Sequence, residues 1–299
     1  MNNILVCIVT HNPNIKTLLK SSTIIKKADL FLLVIDNNSK NKYHIKRINY
    51  IDKLLLLKKN IGLGKAYNIC CKIASKLNME WILFLDDDSL PSENFIKIID
   101  IINELKKYKN FYKKVAIVSI NFPIATKIVK INEDFYLSKY VIGSGMLVKT
   151  CICKKYKFLE NLFLYNIDIE YCTRIRRAGY YILAYKDPLI KYKMGEKNKK
   201  YRKKLTKFIF TLLSKIFNKD LTSYPYYSNP NRYYIMLRNT LYLVLRKKLE
   251  LSYSKYLPLF ILYLYETTGL RKTIYYTIRA LKYAINGNLQ EDSKKIFNL

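Results

Sequence analysis

Residues 81–89 constrain this chain more than any other segment. An apolar run, Trp81-Ile82-Leu83-Phe84-Leu85, empties into Asp86-Asp87-Asp88-Ser89. The run has the length and composition of a buried strand. Three adjacent carboxylates repel one another and cannot follow it into a core, so they lie beyond its C-terminal end. In an open α/β sheet that end faces the ligand crevice. A hard divalent cation suits such a cluster, because Mg²⁺ or Mn²⁺ takes one or two carboxylates and completes its shell with substrate phosphate oxygens. The competing explanation is an acidic turn before a helix, with Ser89 or Asp88 as N-cap and Pro91 in the first turn.

The surrounding segments alternate between strand and helix patterns. Ile4–Thr10 reads as a strand, 15–26 as a helix, 30–35 and 54–57 as strands, 65–77 as a helix, 92–107 as a helix and Val115–Ser119 as a fifth strand. Such alternation, with polar loops after each strand, predicts a mostly parallel, doubly wound sheet. Further on, 140–149 reads as a strand around Gly143-Ser144-Gly145, and 167–178 as a helix. At 299 residues, half of them hydrophobic, the chain has ample material for a core.

Polar clusters end four successive strands: Thr10-His11-Asn12, Asp36-Asn37-Asn38, Asn60 with Gly62 and Gly64, and Asp86-Asp87-Asp88. Each alone is ordinary loop chemistry; four on one edge of one sheet make a nucleotide-sized site. Asp36 suits the N3–H of a pyrimidine, and Gly62 and Gly64 suit close approach of backbone to a ribose or diphosphate. The run is neither a dinucleotide fingerprint nor a P-loop, since both spacings are absent.

Taken in order, Val9-Thr10-His11-Asn12, Val34-Ile35-Asp36-Asn37-Asn38-Ser39, Asn60-Ile61-Gly62-Leu63-Gly64-Lys65-Ala66-Tyr67-Asn68 and Leu85-Asp86-Asp87-Asp88-Ser89 resemble the motifs of family 2 glycosyltransferases, and of their rhamnosyltransferase-like branch in particular. The likeness continues through Gly143-Ser144-Gly145-Met146-Leu147 and 168–180, and ends at Arg232-Tyr233-Tyr234 and Arg238-Asn239. It implies a GT-A fold, Rossmann-like, and transfer of a sugar from a nucleotide-sugar with inversion at the anomeric carbon. It assigns Asp86 and Asp88 to a divalent metal (Mn²⁺ or Mg²⁺), with Asp86 and Asp87 also at the donor. Thr10, Asn12, Asp36, Asn38, Asn60, Gly62, Lys65, Gly143 and Ser144 complete the implied donor site. The expected donor is dTDP-L-rhamnose, with a UDP-hexose or UDP-galactofuranose as the alternative, and the acceptor a glycan or lipid-linked glycan.

Inversion is a single displacement, so the attacking hydroxyl must lose its proton to a nearby carboxylate. The resemblance offers Asp168 and Glu170. These lie about 200° apart on a helix and cannot both face one acceptor, so Asp168 is expected as the base and Glu170 as an acceptor-orienting or structural group. Acids complementing the helix dipole are the structural alternative. One departure stands out. Similar sequences carry H-x-x-G after the acidic helix to complete the metal site, whereas this chain has Tyr192-Lys193-Met194-Gly195, and its two histidines are His11 and His44.

The balance of 54 Lys+Arg against 22 Asp+Glu, a formal +32, calls for an anionic partner or surface. Between 191 and 207 there are nine Lys/Arg and one acid, Glu196, followed by Tyr- and Leu-rich stretches with helical spacing at 205–217 and 233–249. The expected organisation is a catalytic domain over 1–195 and a basic, amphipathic helical region over 196–299 that meets acceptor or anionic membrane. Tyrosines interleaved with charge also suit nucleic acid, but no RNA-binding motif accompanies them. A catalytically degenerate binding protein is the remaining alternative. No signal peptide is expected, and the apolar run 256–265 is too short to span a bilayer. Six cysteines without zinc spacing are expected as free thiols. The expected location is cytoplasmic and peripheral on the membrane.

Overall fold

The computed structural model describes residues 3–121, 127–191, 195–217 and 220–297. The chain divides into two compact units, Met1–Tyr192 and Lys193–Leu299. The first runs β1 (Ile4–Thr10), α1 (Ile15–Lys27), β2 (Phe31–Asp36), α2 (Lys42–Ile45), β3 (Lys53–Leu56), α3 (Leu63–Lys76), β4 (Trp81–Asp86), β5 (Leu90–Pro91), α4 (Lys97–Lys107) and α5 (Lys109–Lys114). It continues through β6 (Val115–Ser119), β7 (Lys127–Lys130), β8 (Phe135–Ser138), β9 (Met146–Lys149), α6 (Thr150–Lys155), α7 (Ile167–Arg177), β10 (Tyr181–Tyr185) and β11 (Ile190–Lys191).

Nine strands form one sheet in the order β3-β2-β1-β4-β9-β6-β10-β8-β7. Strands β3, β2, β1 and β4 pair in parallel, as the alternating pattern predicts. Beyond β4 the sheet is mixed. Strand β9 runs antiparallel between β4 and β6, and β8 runs antiparallel to β10 and β7, so these two oppose the other seven. A parallel pairing needs a crossover of a dozen or more residues, usually helical. Among the described residues no helix lies between β6 and β9, and the chain there returns antiparallel.

Helices cover both faces, because successive strand residues point to opposite sides. Ile4, Val6 and Ile8 of β1 share a cluster with Leu18 and Ile25 of α1 and with Ile98 and Ile102 of α4. On the other face Phe84 meets Tyr67 of α3 at 4.3 Å between ring centres, and Phe158 stacks on Tyr171 of α7 at 4.1 Å. This two-layered cover of a largely parallel sheet is the architecture that the GT-A resemblance implied. The expected strand over 140–149 shortens to β9, since the glycine turn ahead of it, with Gly145 at φ +86°, is not extended. All six cysteines are free thiols.

The second unit runs β12 (Lys197–Lys200), α8 (Lys204–Phe217), β13 (Ser223–Tyr226), α9 (Asn231–Leu245), α10 (Leu257–Thr268), α11 (Leu270–Asn286) and α12 (Leu289–Phe297). Part of the basic run, expected to belong to a helical region, is a strand: β12 pairs antiparallel with β13. Tyrosines explain it. Tyr201 stacks on Phe210 and Tyr224, Tyr224 stacks on Tyr263, and the Lys199 amine lies 3.4 Å from the centre of the Tyr226 ring. The rings supply apolar area while the lysines stay in water.

Arg238 and Asn239 anchor this unit. The Arg238 guanidinium is fully buried and donates to Asp292 at 2.6 Å, to the Leu289 carbonyl and to Ser293. Asn239 accepts from it on the other side. Asp292 also accepts from Arg279 and from the Tyr234 hydroxyl, so two cations and a phenol surround one buried carboxylate and pin α12 to α9 and α11. Removing one partner of a buried, fully bonded ion pair leaves the other charge uncompensated and costs about 3–5 kcal/mol. Asp292→Ala is therefore expected to lower unfolding free energy by that amount in urea denaturation. A midpoint within a few tenths of molar of the parent contradicts this account.

Candidate functional site

Parallel register brings the expected site residues to one edge. Thr10 pairs with Asp36 and Val9 with Asp86, so β1, β2 and β4 end together. The Thr10 hydroxyl donates to Asp36 at 3.0 Å, and the Ser39 N–H donates to the other Asp36 oxygen at 3.0 Å. Both Thr10 and Asp36 are completely enclosed. The expectation that Asp36 meets a pyrimidine is thus corrected: both its oxygens are engaged in holding the β2 loop, and neither reaches the surface.

Asn12 and Asn38 are exposed on this edge, as is His11, and each of the two asparagines is at positive φ (56° and 66°). The Asn12 N–H donates to Ser39 Oγ at 2.8 Å, and its side-chain oxygen accepts from the Lys40 N–H at 2.8 Å. Asn37 accepts from the Ile61 N–H, and Asn60 from the Gly62 N–H. Three loops are thereby bonded in sequence. Lys65 stands half-buried in the first turn of α3.

The glycines after β3 admit a neighbouring loop of the protein. A Cβ on Gly64 would lie 2.4 Å from the Leu159 carbonyl oxygen, and one on Gly62, at φ +82°, would lie 2.9 Å from the Phe163 ring. The Leu63 N–H donates to the Phe163 carbonyl. A close approach that needs glycine here is made by the 159–163 loop of the same unit.

Beyond β4, Asp86 and Asp87 are half-buried and Asp88 is exposed. Asp87 accepts from the His11 N–H at 3.1 Å, which ties the acid run to the β1 loop. The Asp86 N–H donates to Ser144 Oγ at 3.2 Å, and the Ser89 and Ser144 hydroxyls lie 2.6 Å apart. Ser144 is buried, so its hydroxyl bridges protein elements. One residue earlier, the Gly143 N–H donates to Asp168 Oδ2 at 2.7 Å. The glycine turn is thus bonded on one side to the acid-bearing strand end and on the other to the acid-bearing helix.

Asp168 and Glu170 diverge as the helix angle requires. Asp168 retains some surface access although protein encloses it densely. Burial raises its pKa above the ordinary carboxylate value, opposed by the N–H groups of Gly143 and Ile169. Glu170 is buried and paired with Arg174 through both oxygens, at 2.8 and 2.9 Å. Of its two expected roles, the structure leaves the structural one; the buried pair excludes contact with an acceptor.

For a cation, Asp86 and Asp88 are a hard-oxygen pair of the kind that binds Mg²⁺ or Mn²⁺ together with phosphate. Among the described residues no group of three or more His, Cys, Asp or Glu is assembled to hold a metal. Tyr192, Lys193 and Met194, where a histidine was expected, lie outside the described residues. Sequence reasoning passed over Asn37, Ser39, Ser89 and Asn121 as site residues. Asn121 donates to the Ser144 carbonyl at 3.0 Å, and its signal was its position just after β6, matching that of Asn37 and Asn38 after β2.

Residues 5–122 match the family model described as Glycosyl transferase family 2. The chain is 28% identical over 215 residues to a Shigella flexneri protein named dTDP-rhamnosyl transferase RfbF, covering 67% of this chain and 72% of that one. It is similar to the solved structure of S. aureus TarS 1–349 in complex with UDP-GlcNAc, at 16% identity and TM-score 0.49, over 99% of this chain and 92% of that one. It is also similar to GalNAc-T7 with UDP, GalNAc and Mn²⁺, at 16% identity and TM-score 0.49 over 61% of this chain; there it spans 42% of the solved chain.

The glycine contacts make a test that does not depend on activity. In an open helix start, Gly→Ala would stabilise by up to about 1 kcal/mol. At Gly64 the added methyl meets a backbone carbonyl that cannot rotate away, so the sign reverses. Gly64→Ala is expected to destabilise the chain by about 1–3 kcal/mol, the usual range for overpacking. A neutral or stabilising effect in thermal denaturation would remove the 159–163 loop from this position.

Proposed function

We propose that this chain, a glycosyltransferase by its family 2 domain over residues 5–122, is an inverting enzyme that moves L-rhamnose from dTDP-L-rhamnose to a hydroxyl of a glycan or lipid-linked glycan. The observation that carries the mechanism is the Gly143 N–H bond to Asp168, because the same turn is bonded through Ser144 to the Asp86 strand end. That connectivity supports reading Asp168 as a carboxylate base beside the acid-lined edge. The donor assignment follows the relative from Shigella flexneri.

On this reading the acceptor oxygen attacks the anomeric carbon and gives its proton to Asp168. The bond from that carbon to the diphosphate oxygen breaks with its electron pair, so the nucleoside diphosphate departs and configuration inverts. Two peptide N–H donors hold Asp168 in one orientation, which spares the reaction the cost of arranging it. Lys65, in the first turn of α3, contributes positive charge for the departing diphosphate. A divalent cation held by Asp86 and Asp88, when bound, neutralises charge on that leaving group. Asn12 and Asn38, exposed on the loops that Ser39 and Asp36 stiffen, offer hydrogen bonds to the donor.

Charge suggests where the acceptor is met. The unit Lys193–Leu299 holds 22 Lys+Arg against 6 Asp+Glu, a net of +16 in about a third of the chain. Anionic headgroups attract such a surface. No helix among the described residues is long and apolar enough to cross a membrane, so the association we propose is peripheral.

A donor panel tests the reading. dTDP-L-rhamnose should give saturable transfer or slow hydrolysis, and UDP-glucose, UDP-N-acetylglucosamine and UDP-galactofuranose should give at most a few per cent of that rate; preference for a UDP-sugar overturns the donor assignment. Asp88→Ala should cut turnover by about 10²-fold or more while the melting temperature holds, the scale of losing a major charge-stabilising group. Unchanged turnover at saturating Mn²⁺ sinks its role. Because the Asp168 pKa is raised and the base acts ionised, kcat/KM should climb with pH along a limb centred above the ordinary Asp value of about 3.9. A limb at or below that value contradicts the assignment.

A further inference from the structure

We propose that α11 and α8 seat their exposed apolar stripes at the headgroup–acyl boundary of an anionic bilayer, so that membrane contact is an insertion by named residues as well as a charge attraction. The proposal rests on the peripheral-membrane reading above and adds to it the residues and the depth. On α11, Leu270, Ile274, Ile278, Leu281 and Ile285 are each 47–65% exposed. At 100° per residue these five fall within an arc of about 80°. Thr273, Ala280 and Ala284 form the buried edge of the same helix, which packs on α9. Exposed Arg271 and Lys282 border the stripe.

Helix α8 repeats the pattern. Leu205, Phe208, Leu212 and Ile216 are 49–68% exposed, again within an arc of about 80°, while Thr206 and Phe210 face inward. Exposed Lys204 and Lys215 stand alongside. Exposed apolar residues scattered singly need no explanation, but a contiguous row does. Two helices of one unit each carry such a row edged by cations, which is the design of helices lying in a membrane interface.

Charge selects the occupant. A second copy laid on these stripes would bring two units of net +16 face to face, whereas anionic headgroups neutralise the cations that border the rows. The lengths fit as well: α11 has 17 residues and α8 has 14, enough to lie in the plane of the surface.

The test uses the full chain with vesicles of phosphatidylglycerol and phosphatidylcholine. The single tryptophan, Trp81, is fully buried and gives a constant background, so Ile278→Trp reports the stripe. Its emission should shift to the blue on vesicles and be quenched by lipids brominated on the acyl chain. Ile274→Glu/Ile278→Glu should weaken partition by roughly 10- to 100-fold, since two half-exposed side chains no longer bury their area, with circular dichroism unchanged. Part of the wild-type binding should survive high salt, and that part should vanish in the double variant. Binding that salt abolishes completely, with no emission shift in the Ile278→Trp variant, overturns insertion and leaves the charge reading standing. No binding of the wild-type chain at any salt overturns both. A concentration-dependent dimer that Ile274→Glu/Ile278→Glu dissolves assigns the stripe to a second copy and overturns the proposal.

Discussion

The turn Gly143-Ser144-Gly145 joins the two acid-bearing elements of this molecule, and the rest of the candidate site depends on it. Ser144 accepts the Asp86 N–H and bonds to Ser89, Gly145 donates to the Phe84 carbonyl, and Gly143 donates to Asp168. A side chain is excluded at Gly145 and crowded at Gly143. A Cβ on Gly145 would lie 2.7 Å from Asn121 and 2.9 Å from Ile190, and one on Gly143 would lie 3.0 Å from the Tyr67 hydroxyl. Buried hydrogen bonds of this kind contribute about 1 kcal/mol each to stability. Their larger consequence is geometric, since they hold strand end and helix start to one arrangement.

Much of that edge is legible in the sequence alone. Polar residues immediately after apolar runs marked the ends of β1, β2, β3 and β4, and the helix angle separated Asp168 from Glu170. What failed needed tertiary register. Nothing in Asp36-Asn37-Asn38 says that Thr10 will stand opposite Asp36 and enclose its carboxylate, because that follows from the β1–β2 pairing. The occupant of the space at Gly62 and Gly64 lies about a hundred residues downstream, in a loop with no periodic signal. Glu170 is a different kind of miss: its partner Arg174 is four residues on, a spacing visible in the sequence.

The second unit shows why net charge is a poor guide to local structure. Its lysines belong to a stretch expected as basic and helical, yet the tyrosines between them build a stacked interior and a two-stranded sheet. Charge then has to be neutralised or displayed. Arg238 and Arg279 share the carboxylate of Asp292, while Arg271, Lys282, Lys204 and Lys215 remain exposed beside apolar rows.

The central claim is that Asp168, on α7, removes the acceptor proton while the donor is held at the strand ends. Asp168→Asn isolates it, since Asn keeps size and can accept the Gly143 N–H but cannot take the proton. The account predicts a turnover about 10²–10⁴-fold lower, the scale of general base catalysis, with the donor dissociation constant by calorimetry within a few-fold of the parent. Near-parent turnover, or a donor affinity that collapses together with the rate, contradicts it.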